Sequence, residues 1–143
     1  MKSFLVIGMG SFGRHLAEKM IELGNSVIAV DKNQSLIEEI ADRFPDSYYG
    51  DCTNPAVLGN LGVNNFDVCF VAIGEDFFAS LEITSILKEL GARYVVSKAK
   101  GERQTNFLRK LGADEVIYPE KEIAERLAVR FNADNIFDSY QLT

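Results

Sequence analysis

The stretch Phe4-Leu5-Val6-Ile7-Gly8-Met9-Gly10-Ser11-Phe12-Gly13-Arg14 is an apolar run that ends in Gly-x-Gly-x-x-Gly and continues as a helical pattern. Each glycine answers a different steric demand. At Gly8 the chain turns sharply off a strand, at Gly10 backbone N–H groups come within reach of a pyrophosphate, and at Gly13 a helix packs close to a sheet. The positive end of that helix then faces the phosphates, where an anion is stabilised. Alone the triplet is a weak signal, because glycines at this spacing also occur in plain turns.

Its flanks strengthen it. Phe12, Leu16, Met20 and Leu23 repeat at helical spacing beside Ala17 and Ile21, and Gly24-Asn25 stops the helix. Val27-Ile28-Ala29-Val30 reads as a second buried strand with Asp31 at its end, close to the ~20-residue distance at which a carboxylate meets the ribose hydroxyls of an adenosine. The competing role for Asp31 is to cap the next helix, with Lys32-Asn33 in the turn.

The 143 residues, 47% of them hydrophobic, suffice for one core and one domain. A net charge of −6 without a Lys/Arg cluster speaks against a nucleic-acid partner, leaving room only for a local positive site around one phosphate group. No apolar run approaches the ~20 residues of a membrane span, and Met1-Lys2-Ser3 leads straight into a strand, so a soluble, cytoplasmic chain is expected. Cys52 and Cys69 show no metal-ligand spacing, Cys69 sits inside an apolar strand, and the single His15 lacks partners for a catalytic triad.

Along the chain, residues 35–44 form a helix ended by Pro45, and a short strand at 47–49 leads into Gly50-Asp51-Cys52-Thr53. That segment is either a ligand-facing strand tip or a helix cap, with Thr53 or Asn54 capping and Pro55 in the first turn. Val68 to Ile73 is almost continuously apolar, as a strand covered on both faces should be, and breaks at Gly74-Glu75-Asp76, which either makes room for a ribose or adenine or simply turns. The helix over 77–90 is apolar around most of its circumference, through Phe77, Phe78, Leu81, Ile83, Ile86, Leu87 and Leu90, which points to an oligomer contact. Lys98 ends the strand that starts at Tyr94 and either meets phosphate or is solvated. A helix through Thr105, Leu108 and Leu111, a strand at 115–118 and a helix opened by Pro119 complete the alternation. The acids after Pro119 suit a helix N-terminus, and the apolar tail 135–142 reads as an interface or linker. The pattern predicts an α/β, doubly wound parallel Rossmann sheet in the order 3-2-1-4-5-6, with residues 1–118 as the nucleotide-binding domain and 119–143 as a crossover helix and tail. No general acid or base with a substrate pocket is legible, so binding is better supported than catalysis.

The blocks Gly8-Met9-Gly10-Ser11-Phe12-Gly13, Val30-Asp31, Gly50-Asp51-Cys52-Thr53, Val71-Ala72-Ile73-Gly74, Val96-Ser97-Lys98-Ala99, Leu111-Gly112-Ala113-Asp114 and Pro119-Glu120-Lys121 together resemble the N-terminal half of an RCK domain. These domains, also called KTN or TrkA-N, belong to the Ktr and Trk potassium uptake systems of bacteria, and the likeness is greatest to Ktr-type regulatory subunits. The resemblance implies a non-catalytic cytoplasmic gating subunit that binds ATP or ADP, or alternatively NAD(H). It also implies a homodimer that assembles into a larger ring when a C-terminal lobe is present, beneath a membrane-embedded potassium channel subunit. By motif, Gly8, Gly10, Ser11, Phe12 and Gly13 would hold the phosphates, Asp31 with Lys32 beside it the ribose, and Asp51 and Cys52 the adenine. Ile73, Gly74 and Glu75 would line the pocket, and Lys98 would approach phosphate. Glu120 resembles an acid at the dimer contact near the terminal phosphates, sometimes acting through a divalent cation that accompanies ATP. Ser11 departs from the family, many of whose Ktr members carry a phosphate-reaching arginine there. The rival readings are the cofactor-binding domain of an NAD-dependent oxidoreductase and a dimerisation module with a vestigial pocket.

Overall fold

Strands and helices alternate along the whole of the described chain, residues 1–133 of a computed structural model. The elements are β1 (Ser3–Ile7), α1 (Ser11–Glu22), β2 (Ser26–Asp31), α2 (Gln34–Ile40), β3 (Ser47–Tyr49), α3 (Pro55–Leu61), β4 (Val68–Val71), α4 (Phe77–Glu89), β5 (Val95–Lys98), α5 (Glu102–Lys110), β6 (Glu115–Ile117) and α6 (Pro119–Asn132). The tail 135–142 lies outside the described residues. All pairings are parallel, and the six strands follow the order β3-β2-β1-β4-β5-β6 expected from the sequence. The order reverses between β1 and β4, which opens a crevice at the C-terminal ends of those strands.

Strand periodicity sorts the core into two layers. Phe4 and Val6 of β1 join Val27 and Ala29 of β2 under Ala17 of α1 and Ile37 and Ile40 of α2. The alternate residues Leu5 and Ile7 face the other way, with Cys69, Val71 and Val95, against Leu58 of α3 and Ile83 and Leu87 of α4. Capping follows the residue chemistry. Asn33, Asn54 and Asp76 each accept a backbone N–H from the first turn of α2, α3 and α4, and Gly62 ends α3 at φ +66°. Leu111-Gly112-Ala113-Asp114 closes α5, with Gly112 at φ +111° and Asp114 accepting the Val95 N–H at 2.7 Å.

Three expectations need correction. First, α2 stops at Ile40, because Pro45 disfavours helical geometry at Phe44 and the N–H groups of Arg43 and Phe44 both return to the Ile40 carbonyl. Second, β4 ends at Val71: the Ala72 N–H makes the last bond to the β1 carbonyl at Ile7, and the chain then leaves the sheet to wall the crevice. Third, the apolar circumference of α4 is mostly covered within the chain. Ile83, Ile86 and Leu87 meet the sheet-side core, and Phe77 and Leu81 pack on the α5 cluster, leaving Phe78 and Leu90 exposed. The exposed apolar helix is α6, which has no buried residue; Ile123 is 54% and Leu127 44% exposed.

Between α4 and β5, the hydroxyls of Thr84 and Ser97 lie 2.7 Å apart, both fully buried. Thr84→Val should cost about 1–3 kcal/mol, because it strands the Ser97 hydroxyl, and adding Ser97→Ala should return much of the loss. Urea unfolding of the two variants and the parent chain measures both steps.

Candidate functional site

The β1–α1 turn is held by sterics that only glycine meets at two of its three positions. Gly8 has φ +100°, and a Cβ there would lie 3.0 Å from the backbone of Ala72 and Ile73. At Gly13 a Cβ would collide with the Gly8 carbonyl oxygen. Gly10 is different. Its φ is −70° and nothing lies within 4 Å of where its Cβ would be, so the chain itself does not require glycine there. What that glycine leaves open is the space in front of the N-terminus of α1, where Gly10 provides no side-chain cap and the first turn carries no acid.

Asp31 braces this turn. Its Oδ2 accepts the Met9 N–H at 2.8 Å and its Oδ1 accepts the Asn33 N–H at 2.9 Å, while Asn33 performs the capping of α2. The carboxylate keeps further lone pairs for incoming hydroxyls. Across the crevice, Lys98 Nζ sits 5.1 Å from the centroid of the Phe12 ring, at the first turn of α1. Burial, then the neighbouring Lys100, pushes the Lys98 ammonium below its ordinary pKa, with Glu120 pulling the other way. An arriving anion would relieve that burial cost.

These groups surround a cavity of about 720 Å³. Gly8, Gly10, Ser11, Phe12, Asp31, Lys32, Asp51, Cys52, Ile73, Gly74, Glu75 and Lys98 all line it, so the structure brings together nearly every residue singled out in the sequence. Gly13 stands behind Gly8 as packing. Glu120 is exposed on the first turn of α6 and does not line the cavity of one chain; Glu122, not Glu120, returns a carboxylate to the α6 N-terminus by accepting the Tyr118 N–H. Asp51 accepts both the hydroxyl of Thr53, at 2.6 Å, and its N–H; these bonds, the hydroxyl's first, hold its carboxyl below the usual range. Cys52 is buried, and burial, then Asp51 and Asp31, pushes its thiol up to about 12, so it is a neutral wall of the cavity.

Leu36, Thr53, Asp76, Glu82, Ile83 and Lys100 also line the cavity and were not singled out as ligand contacts. Asp76 caps α4 with Oδ1 and reaches Lys32 at 4.0 Å with Oδ2, across the mouth of the cleft. Glu82 had a signal: it is the one charged residue in the apolar run from Phe77 to Leu87. Among the described residues no three His, Cys, Asp or Glu side chains gather to hold a metal ion, and no helix is long and apolar enough to cross a membrane.

The profile of the TrkA-N domain matches residues 4–119. The chain is 39% identical over 142 residues to Ktr system potassium uptake protein C of Bacillus subtilis, and 33% identical over 141 residues to Ktr system potassium uptake protein A of Vibrio alginolyticus. Each match covers 99% of this chain and 64% of the relative, so the chain spans less than two thirds of their length. Among solved structures, the NAD(P)-binding domain of an exopolyphosphatase-related protein from Archaeoglobus fulgidus superposes with a TM-score of 0.82 at 21% identity, over 92% of this chain and 98% of that one. The GsuK channel bound to NAD gives 0.77 at 18% identity, over 91% of this chain and 23% of that one, and GsuK bound to ADP gives 0.76 at 18%, over 91% and 33%. At these identities the likeness is one of fold.

The contrast between two glycines is measurable. Gly13→Ala should lower stability by about 1–3 kcal/mol through the clash with Gly8, whereas Gly10→Ala should leave it within about 0.5 kcal/mol. Only the second variant should lose adenine-nucleotide affinity while keeping the parent's thermal unfolding curve, as titration and melting of the same samples would show.

Proposed function

The chain belongs to the TrkA-N domain family, and on that footing we propose that it is a non-catalytic adenine-nucleotide sensor, the cytoplasmic gating part of a potassium uptake system. The observation that carries the ligand reading is Gly10: a glycine that the chain's own packing does not need, at an uncapped helix N-terminus beside the partly buried ammonium of Lys98. ATP or ADP is the ligand of first choice. Its phosphates meet the N–H groups of Ser11, Phe12 and Gly13 with Lys98, its ribose meets Asp31 and Lys32, and its base extends toward Asp51 and Cys52 between Ile73 to Glu75 and the β3 tip. NAD(H) is the second reading, favoured by a smaller adjoining cavity of about 180 Å³ between Gly74, Ser80, Lys98, Lys100 and Gln104 that offers a second half-ligand room.

Residues 1–118 form the sensing unit, and the segment from Pro119 onward engages a second copy of the chain. Ile123 and Leu127 lie one helical turn apart on α6, exposed on a helix that buries nothing within its own chain. Glu120, at the start of that helix, would face the terminal phosphates across the dimer. The described residues of one chain do not gather the side chains of a metal site. A divalent cation there would rest on the phosphates and Glu120 as a counter-ion to ATP. A gate further requires that the ligands bind two arrangements of the dimer with different affinities. The larger ring and the channel subunit complete the proposal by analogy with Ktr systems.

Calorimetric titration of nucleotide-free protein with ATP, ADP, NAD and NADH tests the ligand: tighter binding of ATP or ADP is expected, preference for NAD(H) moves the sensor to a redox ligand, and no binding removes the reading. Asp31→Ala should weaken every one of them about tenfold or more. Ser11→Arg should raise ATP affinity relative to ADP, and equal changes in both would overturn the role given to position 11. Leu127→Asp should turn a dimer into a monomer in light scattering while leaving the far-UV circular dichroism of the folded chain unchanged, since that side chain is exposed on α6; the unfolding midpoint should fall and lose its dependence on protein concentration.

A further inference from the structure

Lys98 and Lys100 stand two residues apart where the chain leaves β5, with Ala99 buried between them. Both line the main cavity and also the smaller one of about 180 Å³ beside it. Lys32, Lys88 and Lys121 each meet a carboxylate within 4.0 Å. The ammonium groups of Lys98 and Lys100 do not: neither makes a hydrogen bond or an ion pair among the described residues, and Lys98 rests only on the ring of Phe12. Burial and the charge of Lys100 both work against the charged form of Lys98, which is half-buried. An anion meeting both ammonium groups removes that repulsion.

The rest of the smaller cavity suits the same guest. Gln104 Oε1 accepts the Lys100 N–H at 2.7 Å, which fixes the loop and leaves the amide N–H groups of Gln104 as donors. A Cβ on Gly74 would lie 4.0 Å from Lys98 Nζ, so bare backbone borders that ammonium. Helix α5 starts here from Gly101, which supplies no side-chain cap, and its first-turn acid Glu102 is held by Lys121 at 2.7 Å. The opposing charge on the cavity wall is the exposed carboxylate of Glu75, so positive charge is in excess there although the chain as a whole carries −6. Charge separates a phosphate group from the uncharged half-ligand that volume alone would admit.

We propose that the smaller cavity is a subsite for one phosphate group, held between Lys98 and Lys100, with Lys100 as its deciding cation. Two sources can supply that group: the terminal phosphate of a nucleotide whose other phosphates lie at α1, or a free phosphate ion seated next to the nucleotide. In the first case Lys100 supplies the charge that serine at position 11 lacks. The inference deepens the reading of the cleft as a nucleotide site, yet the subsite responds to phosphate without any nucleotide.

The test titrates ADP, ATP and inorganic phosphate, the last with and without ADP present, into the nucleotide-free chain and its K100Q and E75Q variants at constant ionic strength. With the terminal phosphate as the source, the parent should prefer ATP to ADP by about five- to tenfold, between the strength of an exposed ion pair and that of a charged hydrogen bond. K100Q should bring that ratio toward one, and E75Q, which removes the opposing carboxylate, should widen it. With a free ion as the source, phosphate should bind the ADP-loaded chain, K100Q should weaken it by the same factor and E75Q should tighten it, while the ratio of ATP to ADP ignores K100Q. A gain of affinity in E75Q cannot come from a damaged fold. The subsite is overturned if K100Q alters neither the ratio nor phosphate binding, or if it weakens ADP and ATP equally and leaves phosphate untouched. Phosphate binding that K100Q abolishes, in a chain that binds no nucleotide, removes the sensor reading and leaves the subsite standing. ADP binding with no response of either arm to K100Q does the reverse, and silence in both arms overturns both.

Discussion

The hydrogen bond from the Met9 N–H to Asp31 at 2.8 Å is the constraint on which the site depends. It ties the turn leaving β1 to the end of β2, the neighbouring strand, and so holds the glycine loop against the sheet before any ligand arrives. Met9 is itself fully buried in the core under α1 and α2, so the loop is anchored by packing as well as by that bond. With Gly8 pressed on the backbone of Ala72 and Gly13 pressed on Gly8, three strand tips become one rigid rim. Preorganisation of this kind spares a ligand the entropy of ordering the loop.

The rim then divides the cleft electrically. Lys98, stacked over Phe12, and Lys100 mark the end nearest α1 and α5, whereas Asp31, Asp51 and Glu82 mark the end nearest β2, β3 and α4. A ligand with an anionic end and a donor-rich end matches this polarity. Lys32 and Asp76, 4.0 Å apart across the mouth, neutralise each other between the two.

Strand order, the glycine loop and Asp31 were legible because each is local: a run of apolar residues, a turn chemistry, an acid at a strand end. The β3 tip was half legible. Of Gly50 to Asn54, Asn54 caps α3 as one alternative had it, while Asp51 and Cys52 line the cavity. What sequence pattern could not supply was tertiary. Residue identity along α4 cannot say that α3, the sheet and α5 share its circumference, so its apolar residues looked more exposed than they are, whereas those of α6 are the exposed ones. Nor can spacing say that Lys98 finds the ring of Phe12, or that Glu82 lines one cavity with residues as distant in sequence as Gly8 and Asp31.

In the proposed sensor the same lysine would link ligand and assembly. Lys98 feels burial and Lys100 pressing its charge away, and Glu120 on the first turn of α6 drawing it back. A phosphate seated at Lys98 adds negative charge to the place where Glu120 already contributes its own. If α6 is held by a second copy of the chain, the number of phosphates then alters the electrostatic cost of bringing Glu120 close, and that cost differs between dimer arrangements that place α6 differently. A differential of this sort is what a ligand must supply to shift a two-state equilibrium. Such coupling would require no long chain of contacts, because α6 begins two residues after β6, which pairs with the strand that carries Lys98.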